Sequence, residues 1–201
     1  MRVSFLLKLL LLGFSIVLTI QHPVCAAVVI MQPGDEAVDV WIIGAITEAD
    51  GDQFSSLGSL FEFHRPDVFL DNKGGDVAAA IKIGRMIRRY NGHTHINDFD
   101  KCYSACALIF ASGKSRFMDA RGELGFRTPP QIQPPLHPAA ITRFIFDMNV
   151  SEHFYEFLMN AHPTNVVTFD GTTIERLVPR FAHAGRIQSN NSSFDRSQWT
   201  H

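Results

Sequence analysis

The sequence predicts an α/β fold made of stacked strand-helix units, and three observations predict it. A short apolar run over residues 67–72 (DVFLDN) passes through Lys73-Gly74-Gly75-Asp76 into an amphipathic stretch. The same order then recurs, with a strand-like Thr94-His95-Ile96 followed by an apolar helix-like run over 105–111. A chain of 201 residues has length for one full core with appendages, and no internal repeat stands out beyond this doubled unit. Alternating strands and helices of this kind pack as layers around a sheet.

Taken in order, residues 38–46 (VDVWIIGAI) are rich in β-branched and aromatic side chains and predict a strand, with Asp50-Gly51-Asp52 as a turn after it. Residues 53–63 show mixed helical spacing. Over 77–90, Val77, Ala80, Ile81, Gly84 and Ile87 recur at the helical period against Lys82, Arg85, Arg88 and Arg89, which predicts a helix with one buried face. Residues 105–111 are apolar on every side and end at Gly113, as a buried helix with a glycine stop does. Two more short strands are expected over 115–118 and 123–126, and the five prolines within 129–138 predict a loop. Helices follow over 139–148 and 152–161, the second with Ser151 as its N-cap. Thr172 with Glu175 three residues on resembles a capping box opening a last short helix.

The two ends of the chain differ from this middle. Arg2 supplies a positive start, residues 9–20 are apolar apart from Ser15 and Thr19, and Val24-Cys25-Ala26-Ala27 offers small residues for cleavage. This is the layout of a secretory signal peptide over 1–27. An uncleaved anchor is the alternative, but a spanning helix needs about 20 apolar residues, and Lys8 shortens this one. The folded domain is expected over 28–184 and a disordered polar tail over 185–201. The location expected is periplasmic or secreted, with no stable membrane anchor after cleavage. A net charge of -2 without basic clusters disfavours nucleic acid as a partner.

Removal of Cys25 with the signal leaves Cys102 and Cys106, in a compartment where disulfides persist. A bond between them brackets Ser104 and requires Cys102 to lie before the helix proper. A metal site is the other use of two thiols. With no third ligand beside them the zinc signal is weak, so neither a metal nor a cofactor is expected.

Two features point to chemistry. Glycines between a strand and a helix let backbone N–H groups face outward at the positive end of the helix dipole, where they can hold an oxyanion. Gly74-Gly75 has that place, although a tight turn needing positive φ would look the same. No Walker-type lysine and serine follow, which disfavours phosphate. Ser104, ahead of an apolar run, is either an N-cap or a nucleophile. Together the two elements would set a hydroxyl beside backbone donors, as acyl transfer requires.

Asp71-Asn72-Lys73-Gly74-Gly75-Asp76-Val77, Ser104-Ala105-Cys106 and Leu124-Gly125-Phe126-Arg127-Thr128-Pro129 resemble, in order and spacing, the three signatures of the Clp protease proteolytic subunit within the Clp/crotonase superfamily. The nearest likeness is to a secreted, periplasmic branch with a Cys-x-Ser-Ala-Cys segment, over about residues 38–177. The resemblance implies a spiral of β-β-α units, Ser104 as catalytic nucleophile, and the amides of Gly75 and Ala105 as the oxyanion hole. It also implies a peptide or protein segment as partner and, since relatives build oligomers from these units, a homo-oligomer.

The departures bear on activity. Arg127 stands where the family has its general-base histidine, and Lys73 replaces a proline. A guanidinium stays protonated and offers donors only, so it cannot take the serine's proton. The family's aspartate has Asp170 as its best-placed candidate, which a turn before Gly171 also explains. His137, His153 and His162 are substitute bases only if one folds over Ser104, and Lys73 or Lys101 would need burial to serve. Arg127 suits a bidentate carboxylate, or equally a salt bridge to Asp76, Asp119 or Glu123. The expectation is therefore a serine-peptidase-like protein that holds a peptide with weak or no hydrolysis. An active peptidase with another histidine and a non-catalytic assembly protein are the alternatives.

Overall fold

The computed structural model describes residues 27–30, 34, 36–127, 138–150, 152–161 and 166–177. The expected signal peptide, Ala27 apart, lies outside them, as do residues 128–137, Ser151 and the polar tail. Ala27 itself opens the first strand. Among the described residues no helix is long and apolar enough to cross a membrane.

The main sheet is built from β1 (Ala27–Ile30), β2 (Ala37–Ile43), β3 (Arg65–Asp71), β4 (His93–Ile96) and β6 (Arg116–Met118), side by side in that order. β1 runs antiparallel to β2, and the other neighbours are parallel. Parallel neighbours need crossovers. These are α1 (Glu48–Ser56) with α2 (Gly58–Phe61), then α3 (Val77–Arg89), then α4 (Ala105–Ser112). Beyond the end of β3 lies a second sheet of β5 (Lys101–Tyr103), β7 (Glu123–Phe126) and β8 (Val167–Asp170), in the order β5-β7-β8. α5 (Pro138–Asp147), α6 (Glu152–Asn160) and α7 (Gly171–Leu177) complete the chain.

Alternation along the strands sorts the two faces of the main sheet. Val40 and Ile42 of β2 lie level with Val68 and Leu70 of β3, and all four are fully buried in the core. The opposite face carries Trp41, Phe69, His95 and Phe117, one from each of four adjacent strands. Their rings stack in a row with centroids 4.8, 4.6 and 4.9 Å apart.

α4 is buried along its whole length, as its apolar sequence requires. It lies against α3 at Gly84, where a Cβ would come 3.1 Å from Cβ of Ser112 and 2.6 Å from the Phe144 ring of α5. Three helices meet there because one side chain is missing. Arg116 donates from Nε to the Ala111 carbonyl at 2.8 Å and from Nη2 to that of Met148 at 2.9 Å, and Arg88 reaches Met148 at 2.7 Å. The last carbonyls of α4 and the end of α5 thus share two guanidinium groups, the cation placement a helix C-terminus favours. Burial, with the charge of Arg88 beside it, brings Arg116 down to about 10.

Several sequence expectations are corrected. Asp50-Gly51-Asp52 lies inside α1, because the Asp50 carboxylate turns back to accept from the Thr47 N–H and hydroxyl, both at 2.7 Å. That is helix capping by a residue that otherwise favours turns. Gly113 does end α4, as expected, but with φ -54° the reason for a glycine is steric: a Cβ would run into Thr94 and Ser115. Pro138 opens α5 instead of closing the loop, as a proline at a first helical position can. The last helix is capped by Asp170, which accepts from the Thr173 N–H at 2.7 Å, and Thr172 lies within it.

Phe144 is fully buried in the hollow over Gly84. Phe144→Ala is expected to destabilise the fold by about 3–5 kcal/mol, read as a lower urea midpoint with an unchanged slope.

Candidate functional site

The site forms where β3 ends. After Asp71 the chain continues beside β5: the Asn72 N–H donates to the Lys101 carbonyl at 2.7 Å, and the Tyr103 N–H donates to the Asn72 carbonyl at 3.1 Å. Asn72 is buried, and its side chain does two things. Its Oδ1 accepts from the Gly74 N–H at 3.1 Å, and its Nδ2 donates to the Ile42 carbonyl at 3.4 Å. An asparagine that closes a turn on its own backbone is a recurring device. It folds residues 72–75 over the end of the sheet.

Gly74 and Gly75 both have positive φ, 92° and 147°. The expectation that this turn needs positive φ therefore holds, and a close approach adds a second reason. A Cβ on Gly74 would lie 2.7 Å from the Tyr103 carbonyl, 2.9 Å from Cβ of Ser104 and 3.0 Å from the Ala105 nitrogen. The glycine backbone is thus pressed against Ser104-Ala105. On its other side, the Ile46 N–H donates to the Gly74 carbonyl at 3.0 Å and the Asp76 N–H to the Ile46 carbonyl at 2.8 Å. Asp76 then caps α3, accepting from the Ala79 N–H at 2.6 Å.

Ser104 joins β5 to α4 with φ 56° and ψ -119°. A non-glycine residue here is strained, by about 1–3 kcal/mol. An ordinary N-cap has extended backbone and an oxygen that accepts from the first turn. Ser104 holds the cap position but makes no side-chain capping bond, so capping does not explain the serine. Its N–H donates to the Gly125 carbonyl at 2.9 Å, which fixes the turn to β7 as well. Ser104 is 7% exposed and close to the surface of the loop formed by Gly74 and Gly75. Neither the Gly75 nor the Ala105 N–H donates to a described residue. Ser104 and Ala105 thus lie against the Gly74 backbone, and the amides of Gly75 and Ala105 are left without a bond to a described residue.

Cys102 in β5 and Cys106 in α4 are joined, Sγ to Sγ, across this turn, with Cα atoms 5.1 Å apart. Cys102 lies before the helix, as the spacing demanded. Tyr103, between Cys102 and Ser104, packs over Gly125 and donates its hydroxyl to Glu123. Burial, then that carboxylate, raises its pKa. Tyr103 was not singled out in the sequence. The signal available was Gly125, which leaves room for a ring beside it.

Arg127 follows β7 directly. β5 and β7 are parallel with Tyr103 level with Gly125, so the arginine leaves the sheet at the same end as Ser104. Its Nε is buried and has no hydrogen-bond partner among the described residues. The expected salt bridges are absent there too: Asp76 caps α3, Asp119 accepts from the Asp98 N–H at 3.1 Å, and Glu123 holds Tyr103.

Asp170 lies level with Glu123, at the far end of β7 from Phe126 and Arg127. Three residues of strand separate it from the serine's end, about 10 Å, and its Oδ1 accepts from the Thr172 hydroxyl and the Thr173 N–H. Its role is that of a helix cap, not of a turn before Gly171. Lys73 and Lys101 are exposed and lack the burial a lysine base needs. His137 and His162 fall outside the described residues, and of His153 only the backbone course in α6 is described. His64, His93 and His95 lie before β3 and in β4; His93 is level with Asp67, four residues upstream of the Asp71 end where Ser104 sits.

No free thiol is expected from Cys102 or Cys106 in protein purified without reductant, as thiol titration under denaturing conditions will show. Reduction opens a loop with a sequence separation of 4, and chain entropy puts the resulting loss of stability at about 2 kcal/mol by denaturant unfolding.

No family model matches the chain, and no curated protein matches it. Solved structures do. An enoyl-CoA hydratase from Shewanella pealeana superposes with a TM-score of 0.53 at 11% identity, over 78% of this chain and 66% of that one. Pseudomonas aeruginosa AtuE gives 0.54 at 11% identity, over 78% and 68%. An enoyl-CoA hydratase/isomerase from Novosphingobium aromaticivorans gives 0.54 at 13%, over 77% and 63%. This chain thus spans about two thirds of the length of these structures. At such identities the likeness is one of fold, and the chain has the α/β Clp/crotonase-like fold of β-β-α units.

Proposed function

We propose that this chain is an exported, serine-peptidase-like protein that binds a peptide by its carbonyl and a carboxylate, and hydrolyses it poorly or not at all. The observation that carries this is the backbone at Ser104. A φ of 56° in a non-glycine residue persists where the surroundings over-determine it, and such residues gather at functional sites. The disulfide, the Gly125 carbonyl and the Gly74 backbone supply that determination.

In this reading the Gly75 and Ala105 amides hold the substrate carbonyl oxygen, and the Ser104 hydroxyl faces its carbon. Attack then requires an acceptor for the hydroxyl proton. Arg127 has donors only. It instead offers a fork for a carboxylate of the bound segment, and its buried, unpartnered Nε supports that use. The hydratases with this fold act, by name, on enoyl-CoA, and the same amide pair would suit a thioester carbonyl. A serine whose hydroxyl makes no capping bond favours the reading that uses that hydroxyl.

A fluorophosphonate probe is expected to label Ser104 far more slowly than it labels active hydrolases. Arg127→His is expected to raise both labelling and peptide cleavage by roughly 100-fold or more, the contribution of a positioned general base. Labelling of the unaltered protein at hydrolase-like rates would defeat the proposal and point to a substitute histidine. Peptides ending in a free carboxylate should bind more tightly than their amidated forms, and Arg127→Gln should remove about 1.5–3 kcal/mol of that preference, measured by calorimetry. Binding indifferent to Ser104, Gly75 and Arg127 would favour a role in assembly alone.

A further inference from the structure

The opposite end of the main sheet holds a cluster that neither the Ser104 site nor the fold accounts for. His93 and His95 are two residues apart on β4, so both side chains leave the same face. Asp67 of β3 is level with His93, on that face as well. One potential donor atom from each of the three lies within 4.8 Å of the others. Asp67 is 8% exposed and His95 7%, so two of the three are more than nine-tenths buried.

Buried polar atoms are ordinarily satisfied. Here His95 Nε2 and His93 Nδ1 are both buried with no hydrogen-bond partner. The nearest approach to one is His93 Nδ1 to Asp67 Oδ1 at 3.4 Å. That distance is longer than an ordinary hydrogen bond. Two buried imidazole nitrogens are thus left without a partner on one face of the sheet, and the neutral ring is the form in which histidine ligates metals.

The ring of His95 is also held in place. It is sandwiched between Phe69 at 4.6 Å and Phe117 at 4.9 Å, nearly parallel to each. Apolar walls of this kind restrict water and fix a ligand's direction. Arg65 donates to Asp67 through Nε to Oδ1 and Nη2 to Oδ2, both at 3.2 Å. A carboxylate has about four lone-pair sites, so two remain for another partner, and the guanidinium becomes the outer support that ligating carboxylates usually have. Asp39, level with Asp67 on β2, adds a second carboxyl to the same face; burial, then Asp67, raises its pKa.

We propose that Asp67, His93 and His95 form a binding site for a divalent, zinc-like transition-metal ion, separate from the Ser104 turn. Two imidazoles and one carboxylate are a donor set of intermediate hardness, suited to zinc and ill suited to calcium or magnesium. Tetrahedral donors at zinc bond lengths sit about 3.4 Å apart, so the three side chains close by about an ångström when the ion enters. Three protein donors leave a fourth position for water or an incoming group. Access is from the His93 and Arg65 side, where the side chains are 19% and 34% exposed.

The test uses the full purified chain with its disulfide intact, stripped by chelator and titrated with Zn²⁺ alone. One ion per chain is expected by calorimetry and by elemental analysis after desalting. Co²⁺ in its place should give the visible absorption of a low-coordinate nitrogen and oxygen site. His95→Gln and Asp67→Asn should each weaken binding by about 100-fold, and Ser104→Ala should leave it unchanged. His93→Gln removes the most accessible of the three ligands, 19% exposed, and guards against a His95 variant that fails to fold, as circular dichroism will tell. Absence of stoichiometric binding overturns the site, and so does binding that persists unchanged in folded His93→Gln, which would place the ion on other histidines.

Discussion

The Ser104 turn depends on the register of three strands where the two sheets meet, with β5 and β7 beginning where β3 ends. β3 runs into Asn72, whose main chain pairs with Lys101 and Tyr103 of β5, and Ser104 in turn pairs with Gly125 of β7. These bonds hold the two sheets together at one edge and fix where β5 stops. The next residue has to reverse direction into a helix buried on all sides, and the Gly74 backbone already occupies the space beside it. Positive φ at Ser104 follows from those constraints. The disulfide from Cys102 to Cys106 then spans the reversal and limits its opening.

The same geometry explains why glycine is required at residue 74. An alanine there would need both an unfavourable φ and about half an ångström of retreat by the Tyr103 carbonyl. That retreat would pull β5 from Asn72, so the loop and the serine turn cannot be altered independently. Under the proposed function, this coupling sets the two amides and the hydroxyl as one unit, ready before a ligand arrives. Preorganised donors act most strongly in such a place because they do not reorient as charge develops.

Much of this was legible in the chain. The amphipathic period of 77–90 fixed α3, and the unbroken apolar run after Ser104 marked α4, because each is long enough for its pattern to be read. β1, β5 and β8 escaped notice. β5 has three residues with no alternation to read, and its partners are Asn72 and β7, far away along the sequence. Asp50 and Asp170 were read as turn residues because aspartate favours turns and helix caps for the same reason, a side-chain oxygen that accepts backbone N–H groups. The cluster at Asp67 was hidden in another way. His93-Thr94-His95 shows two imidazoles on one strand face, but only the register of β3 against β4 brings a carboxylate to them.

Arg127 and Arg65 make an instructive pair. Both are cations at an end of the strands, one at the serine's end and one at the other. Arg65 is matched by Asp67 with two hydrogen bonds, and its pKa is raised by that carboxylate. Arg127 has no such match among the described residues, although three carboxylates were within sequence reach and each is engaged elsewhere. A guanidinium with a buried, unsatisfied nitrogen is costly unless something completes it, since the lost hydration is not replaced. A carboxylate carried by a ligand would complete it at the moment of binding. Under the proposed function, the residue that offers Ser104 no proton acceptor is also the one that calls for an anionic partner.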